Sequence, residues 1–353
     1  MLVRLLSGDR PRSLVLSVLL IVIAMGLVLV PFVLPGTRSL DTAARIAIFI
    51  ALVASYDLLL GYTGIVSFAH TMFFGLGAYG VAIALKTLGA GFGAIVLGAA
   101  AGTLAAAVLA LLIGLFSLRV RAIFFAMVTL AVASAFELLV SQLSFLTGGE
   151  DGLNYAIPSV LTPGFRLVPE PVLGVTINGR LMAYYMILLC SAALFLLMLR
   201  MVNSPFGRVL QAVRENAFRA EAIGYRIVYY RTAATVLSAA IAAIAGALLA
   251  VWLRYTGPAT TLSLEIMIDI LLMIVIGGMG TMYGAVVGTT VFIIAQNYLQ
   301  SLMKLASDAS AGVPLLPHLL HPDRWLLWLG ILFILSVYFF PSGIVGRLRG
   351  RDA

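Results

Sequence analysis

Apolar runs of about 20 residues recur along nearly the whole chain, and they limit its fold more than any motif does. Ten can be laid out, at 14–34, 43–60, 67–86, 92–117, 122–144, 181–201, 232–253, 264–278, 282–303 and 324–341. A helix needs roughly 20 such residues to cross the hydrocarbon core, whereas a membrane barrel strand needs about 10 of alternating polarity. Of the 353 residues, 62% are hydrophobic and 10% charged. A soluble domain carries roughly a quarter charged residues, and a chain this apolar cannot cover its own surface with polar groups. The expected fold is all-α: a polytopic transmembrane helical bundle of about ten spans (eight to ten), forming a single domain over 1–353.

Basic residues test the orientation. With the N-terminus cytoplasmic, 14 of the 22 Lys and Arg fall inside, among them Arg208, Arg214, Arg219, Arg226 and Arg347. Eight fall outside, including Arg38, Arg45, Arg180 and Arg254. That excess has the sign of the positive-inside rule, and an even span count returns the basic C-terminal tail to the same side. An eight-span arrangement with re-entrant pieces satisfies the same test. Arg4, Arg10 and Arg12 precede an apolar stretch longer than a signal-peptide core, so the first run reads as a retained helix. The net charge of +8 comes without a basic run interleaved with aromatics, which argues against nucleic acid as a partner. Cys190 is the only cysteine, which excludes an internal disulfide. His318 and His321 could bind a metal, but without a third ligand two exposed histidines are more often incidental, so no metal site is expected.

Two connections are long. Residues 145–180 read as a periplasmic loop and 203–226 as a cytoplasmic region. Within the second, "AVRENAFRAEAIGY" (212–225) places Arg214, Glu215, Arg219 and Glu221 within eight positions. Asn203 or Ser204 can cap a helix there, and Pro205 suits its first turn. Glu215 and Arg219 stand four apart in the favourable order. On one continuous helix Val213, Ala217, Ala220 and Gly224 share a smooth stripe, flanked by Phe218 and Ile223. This pattern predicts a docking helix over 205–224.

"SPFGRVLQAVRENAFRAEAIGY" resembles the cytoplasmic EAA-type coupling loop of ABC importer permeases, and more narrowly that of the branched-chain amino acid permease family (LivM type). "GYTGIVSFAHTMFFGLGAY" (61–79), "RAIFFAMVTLA" (121–131), "LTGGEDGL" (146–153) and "IGGMGTMYGAVVGT" (276–289) carry the same resemblance, which covers about residues 43–345. It implies a permease subunit in a bacterial inner membrane. Its implied partners are a second homologous permease subunit, two ATPase subunits and a periplasmic solute-binding protein. Arg214, Glu215, Ala217, Phe218, Ala220, Glu221, Ala222 and Gly224 become the ATPase-coupling residues. No cofactor is implied for this chain itself, ATP and Mg residing on the ATPase subunits.

The residues agree with an external energy source. The nearest approach to a phosphate loop, GxxxxGK[ST], is "GVAIALKT" (80–87), with Leu85 where the second glycine belongs. It also lies inside an apolar span. No HExxH, GxSxG or paired carboxylate beside a nucleophile appears, which disfavours a membrane enzyme. Glycine breaks mark candidate substrate-path positions at Gly61 and Gly64 and at Gly277, Gly278 and Gly280, with Asp57 and His70 nearby. Gly280, Gly284 and Gly288, like Gly98 and Gly102, have the spacing of helix-packing seams. Acids within spans are costly and often functional, which singles out Glu137, Glu265 and Asp269 beside Asp57. Glu137 lies deepest by position, with Arg119 or Arg121 as its expected partner. Glu265 and Asp269 share a face and have Arg254 or water as their expected neighbours. The competing expectation is an ion-gradient-driven transporter of small solutes in which Asp57, Glu137 or His70 titrates.

Overall fold

Hydrocarbon offers no hydrogen-bond partners, so each spanning segment must satisfy its backbone internally, and every long apolar run here is helical. The computed structural model describes residues 13–34, 36–117, 122–167, 176–309, 321–340 and 342–349. The first half contributes α1 (Leu14–Val33), α2 (Thr37–Thr63), α3 (His70–Leu88), α4 (Phe92–Ser117), α5 (Ala122–Gln142) and α6 (Gly179–Val202). Two short helices follow, α7 (Pro205–Glu215) and α8 (Ala217–Ala222). The second half comprises α9 (Ile227–Leu253), α10 (Leu264–Gly277), α11 (Met282–Ala309), α12 (Trp325–Phe339) and α13 (Gly343–Arg349). Among the described residues, ten helical segments are long and apolar enough to cross a membrane. The expected all-α fold is what is found; the expected ends move by several residues, and the last span extends through α12 and α13.

Burial sorts the helices into centre and rim. The most apolar windows of α2 and α9 are 83% and 72% buried, against 17% for α1 and for α5. α9 packs along α2, α3 and α4, while α11 lies against α2 and α10. Glycines let backbones touch: a Cβ at Gly98 would come within 2.8 Å of the Val81 backbone on α3, and one at Gly288 within 2.8 Å of the Gly277 backbone on α10. Gly280, counted with the α11 seam from its spacing, instead sits in the turn before that helix. At the rim, α1, α4 and α5 expose large apolar side chains such as Ile21, Leu104 and Phe124, as lipid-facing helices do.

α1 is anchored by polar groups. Pro31 lies inside it and has no N–H, which orphans the Leu27 carbonyl four residues earlier. The Tyr184 hydroxyl on α6 donates to that carbonyl, and Tyr185 donates to the Val28 carbonyl at 2.9 Å. Tyr184→Phe therefore strands an acceptor in hydrocarbon, at about 1–3 kcal/mol. The expected result is a lower thermal unfolding midpoint of the detergent-solubilised chain; an unchanged midpoint excludes this role.

The connection after α5 is tied down. Leu153–Asn154 pairs antiparallel with Tyr255–Thr256, and the Tyr155 hydroxyl donates to the Ala250 carbonyl at 2.9 Å. Nearby, Asp41 on α2 and Arg180 on α6 form an ion pair at 2.7 Å.

Candidate functional site

α7 and α8 sit where α2 ends, α9 begins and the α10–α11 turn lies. The expected single helix over 205–224 is two. Asn216 adopts an extended conformation (φ −156°, ψ 96°) and ends α7. Its side chain then caps α8, accepting from the Arg219 N–H at 2.9 Å. Ser204 stands at the N-terminus of α7 ahead of Pro205, but its hydroxyl turns back to the Met201 carbonyl instead of capping.

This break reverses the role expected for the small-residue stripe. Val213 and Ala220 are buried and pack with Val209 against Ile227 and Tyr230 of α9. They fasten the helix pair to the bundle. Ala217 is half-buried, while Glu215, Glu221, Ala222 and Gly224 are exposed. Glu215 and Arg219, separated by the kink, form no ion pair among the described residues. The outward apolar groups are Phe218, 83% exposed, and Ile223, 68% exposed. Gly224 (φ +98°) closes α8, and the Tyr225 N–H reaches back to the Ala220 carbonyl at 3.1 Å.

Arg214 does what its charge alone did not reveal: it points into the bundle and donates to the main-chain carbonyl of Gly61. Gly61 is in the last turn of α2, where a Cβ would lie 2.7 Å from the Asp57 carboxyl carbon. Asp57 is buried, and its Oδ1 accepts from the Gly280 N–H at 2.9 Å. Gly280 has a left-handed backbone (φ +77°), and a Cβ there would meet the Arg214 guanidinium at 2.8 Å. Gly64, in the left-handed conformation that ends α2, leaves room for the Arg214 stem. Two glycine breaks, one buried acid and one arginine from the kinked helix pair thus form one joint. Gly277 and Gly278 belong to the same α10–α11 turn, whose Thr281 hydroxyl donates to the Gly278 carbonyl at 2.7 Å.

The remaining candidates lie apart from this joint. His70, at the start of α3, is fully buried; its Nε2 stands 2.9 Å from the Ser55 hydroxyl, and Ser238 of α9 donates to the Ser55 carbonyl at 2.5 Å. Its ring packs against Tyr56 and Phe73, which places His70 in the α2–α3–α9 core. Glu137, expected deepest, is only half-buried, and Asp57 is the buried acid. Arg119 and Arg121, its expected partners, lie outside the described residues, as does His318. Glu265 and Asp269 are at the opposite end of the bundle from the joint, in a cleft with Arg45. Arg254, one of the neighbours expected for those acids, instead lines an adjoining cleft with Arg38, Arg45 and Arg180.

A LivM-named probable branched-chain amino acid transport permease of Methanocaldococcus jannaschii is 29% identical over 163 residues, 46% of this chain and 45% of that protein. High-affinity branched-chain amino acid transport system permeases named LivM, from Salmonella typhimurium and Escherichia coli, are each 24% identical, over 98% of this chain and 77% of theirs. No solved structure matches the chain. The family model described as branched-chain amino acid transport system / permease component matches residues 39–337. With that match spanning most of a chain whose described residues include ten candidate membrane spans, the protein belongs to the branched-chain amino acid transport permease family.

Proposed function

We propose that the chain is the transmembrane permease subunit of an ATP-binding-cassette importer that moves branched-chain amino acids or related small solutes, delivered by a periplasmic binding protein, across a bacterial inner membrane. In this reading both termini and the α7–α8 pair are cytoplasmic, and residues 145–180 are periplasmic. A second permease subunit completes the pathway. Two ATPase subunits, holding ATP and Mg, dock on α7 and α8.

The observation that carries the reading is the reach of Arg214 from α7 to Gly61 on α2. Any rotation of the helix pair is passed directly to the end of a central span and, through Asp57 and Gly280, to the α10–α11 turn. Alternating access needs such a lever. An ion-gradient mechanism is less well supported, because two of its three candidate carriers, Asp57 and His70, are sealed in packing at no more than 1% exposure, Glu137 alone being half-buried.

Phe218 and Ile223 are the apolar knobs an ATPase groove would take, and buried aromatics are frequent binding hot spots. Phe218→Asp is expected to cut co-purification of the ATPase subunits at least tenfold while leaving the folding of the chain intact. Wild-type chain that purifies without an ATPase, and proteoliposomes whose uptake ignores ATP but collapses with the ion gradient, would overturn the reading.

A further inference from the structure

At the end opposite the coupling joint, the start of α2, the end of α9, the start of α10 and the far half of α11 enclose a cleft of about 280 Å³. That is near the lower edge of the roughly 300–1,000 Å³ found for small-molecule pockets, and suits a small solute. Its charged groups are Arg45 on one wall and Glu265 and Asp269 on α10. Among the described residues neither acid pairs with Arg45. Gln296 of α11 donates to Oδ2 of Asp269 at 3.3 Å and leaves the other carboxylate oxygen free. Deeper and to the sides the wall is apolar, from Phe49, Leu249, Ile266 and Met273.

Arg45 and Glu265 are exposed and Asp269 is half-buried, so opposite charges face one cleft without touching, where an incoming dipolar solute can meet both. We propose that this cleft is the solute station of the permease and takes the zwitterion of an α-amino acid with an apolar side chain. Arg45 receives the carboxylate, and Glu265 with Asp269 receives the ammonium. Gln296 fixes the Asp269 carboxylate, and the wall of Phe49, Leu249, Ile266 and Met273 holds the side chain. A solute with one charge leaves the other wall of the cleft unpaired, so rejection of the amine and of the acid is built into the same site. The assignment rests on the permease reading and adds where the solute is held.

The test uses the full complex in proteoliposomes, with radiolabelled L-leucine and two competitors, 4-methylpentanoate without the ammonium and isoamylamine without the carboxylate. In wild type only the zwitterions should compete. Arg45→Gln should weaken leucine about tenfold or more, the loss expected for a hydrogen bond to a charged group. It should also let isoamylamine compete, since the charge that the amine left unpaired is gone. The Glu265→Gln, Asp269→Asn pair should show the mirror pattern, weakening leucine and letting 4-methylpentanoate compete. Variants that assemble at wild-type yield and discriminate as wild type overturn the proposal, as does wild type that accepts the amine or the acid equally well. If ATP drives no uptake at all, the permease reading has failed; leucine-induced thermal stabilisation of the purified chain, absent in both variants but present in wild type, still decides the cleft.

Discussion

Gly61→Val should abolish solute uptake, the largest loss expected from a single substitution in this chain. Its side chain would have to occupy space already filled by the Asp57 carboxyl group and the Gly280 backbone. Neither neighbour can move away cheaply, since Asp57 is buried within α2 and Gly280 is the hinge of the α10–α11 turn. Overpacking commonly costs about 1–3 kcal/mol, and backbone neighbours place this site at the upper end. The obstruction also parts the Asp57–Gly280 hydrogen bond and moves the carbonyl that Arg214 grips. Asp57→Asn is the control. Its side-chain oxygen still accepts the Gly280 N–H, so uptake should survive, whereas Asp57→Leu should fail with Gly61→Val. Uptake in proteoliposomes checks all three, and a Gly61→Val complex transporting at the wild-type rate would show that the joint has slack.

The second large effect is of another kind. Arg214→Gln should leave the complex assembled and hydrolysing ATP, yet lower the solute moved per ATP about tenfold or more. A charge-assisted hydrogen bond contributes about 1.5–3 kcal/mol, and losing it frees α7 from α2 without disturbing the outward face that carries Phe218. The measurement is the ratio of uptake to phosphate release in the same vesicles. Phe218→Asp is the contrast, since it should reduce assembly and leave that ratio unchanged in whatever complex remains. A parallel fall in uptake and hydrolysis for Arg214→Gln would place Arg214 in docking and remove it from transmission.

Helix positions were legible because span length and hydropathy are local properties of the chain. The coupling segment was legible too, in its charges and in Pro205. What local spacing missed was the break at Asn216. An asparagine between two charged stretches is a capping signal, yet the i, i+4 charge pair pointed to one continuous helix, and the tertiary burial of Val213 and Ala220 supports two. Asp57 was found as a costly acid but not as the acceptor for Gly280, because that partner is 223 residues away. Arg45 was read only as part of a charge count, and its meeting with Glu265 and Asp269 depends on packing among α2, α9, α10 and α11 that no short window contains. Tyr184 was missed although Pro31 advertised an unsatisfied carbonyl one turn before it.

That proline also sets an order of events during synthesis. α1 enters the bilayer before α6, with the Leu27 carbonyl lacking its donor, and Tyr184 follows 157 residues later. At roughly 5–20 residues per second the delay is about 8–30 s. Throughout that interval α1 lacks the hydrogen bond that Tyr184 supplies in the finished fold. A chain released after α5 never supplies the hydroxyl, so seating of the first helix reports that the sixth has arrived.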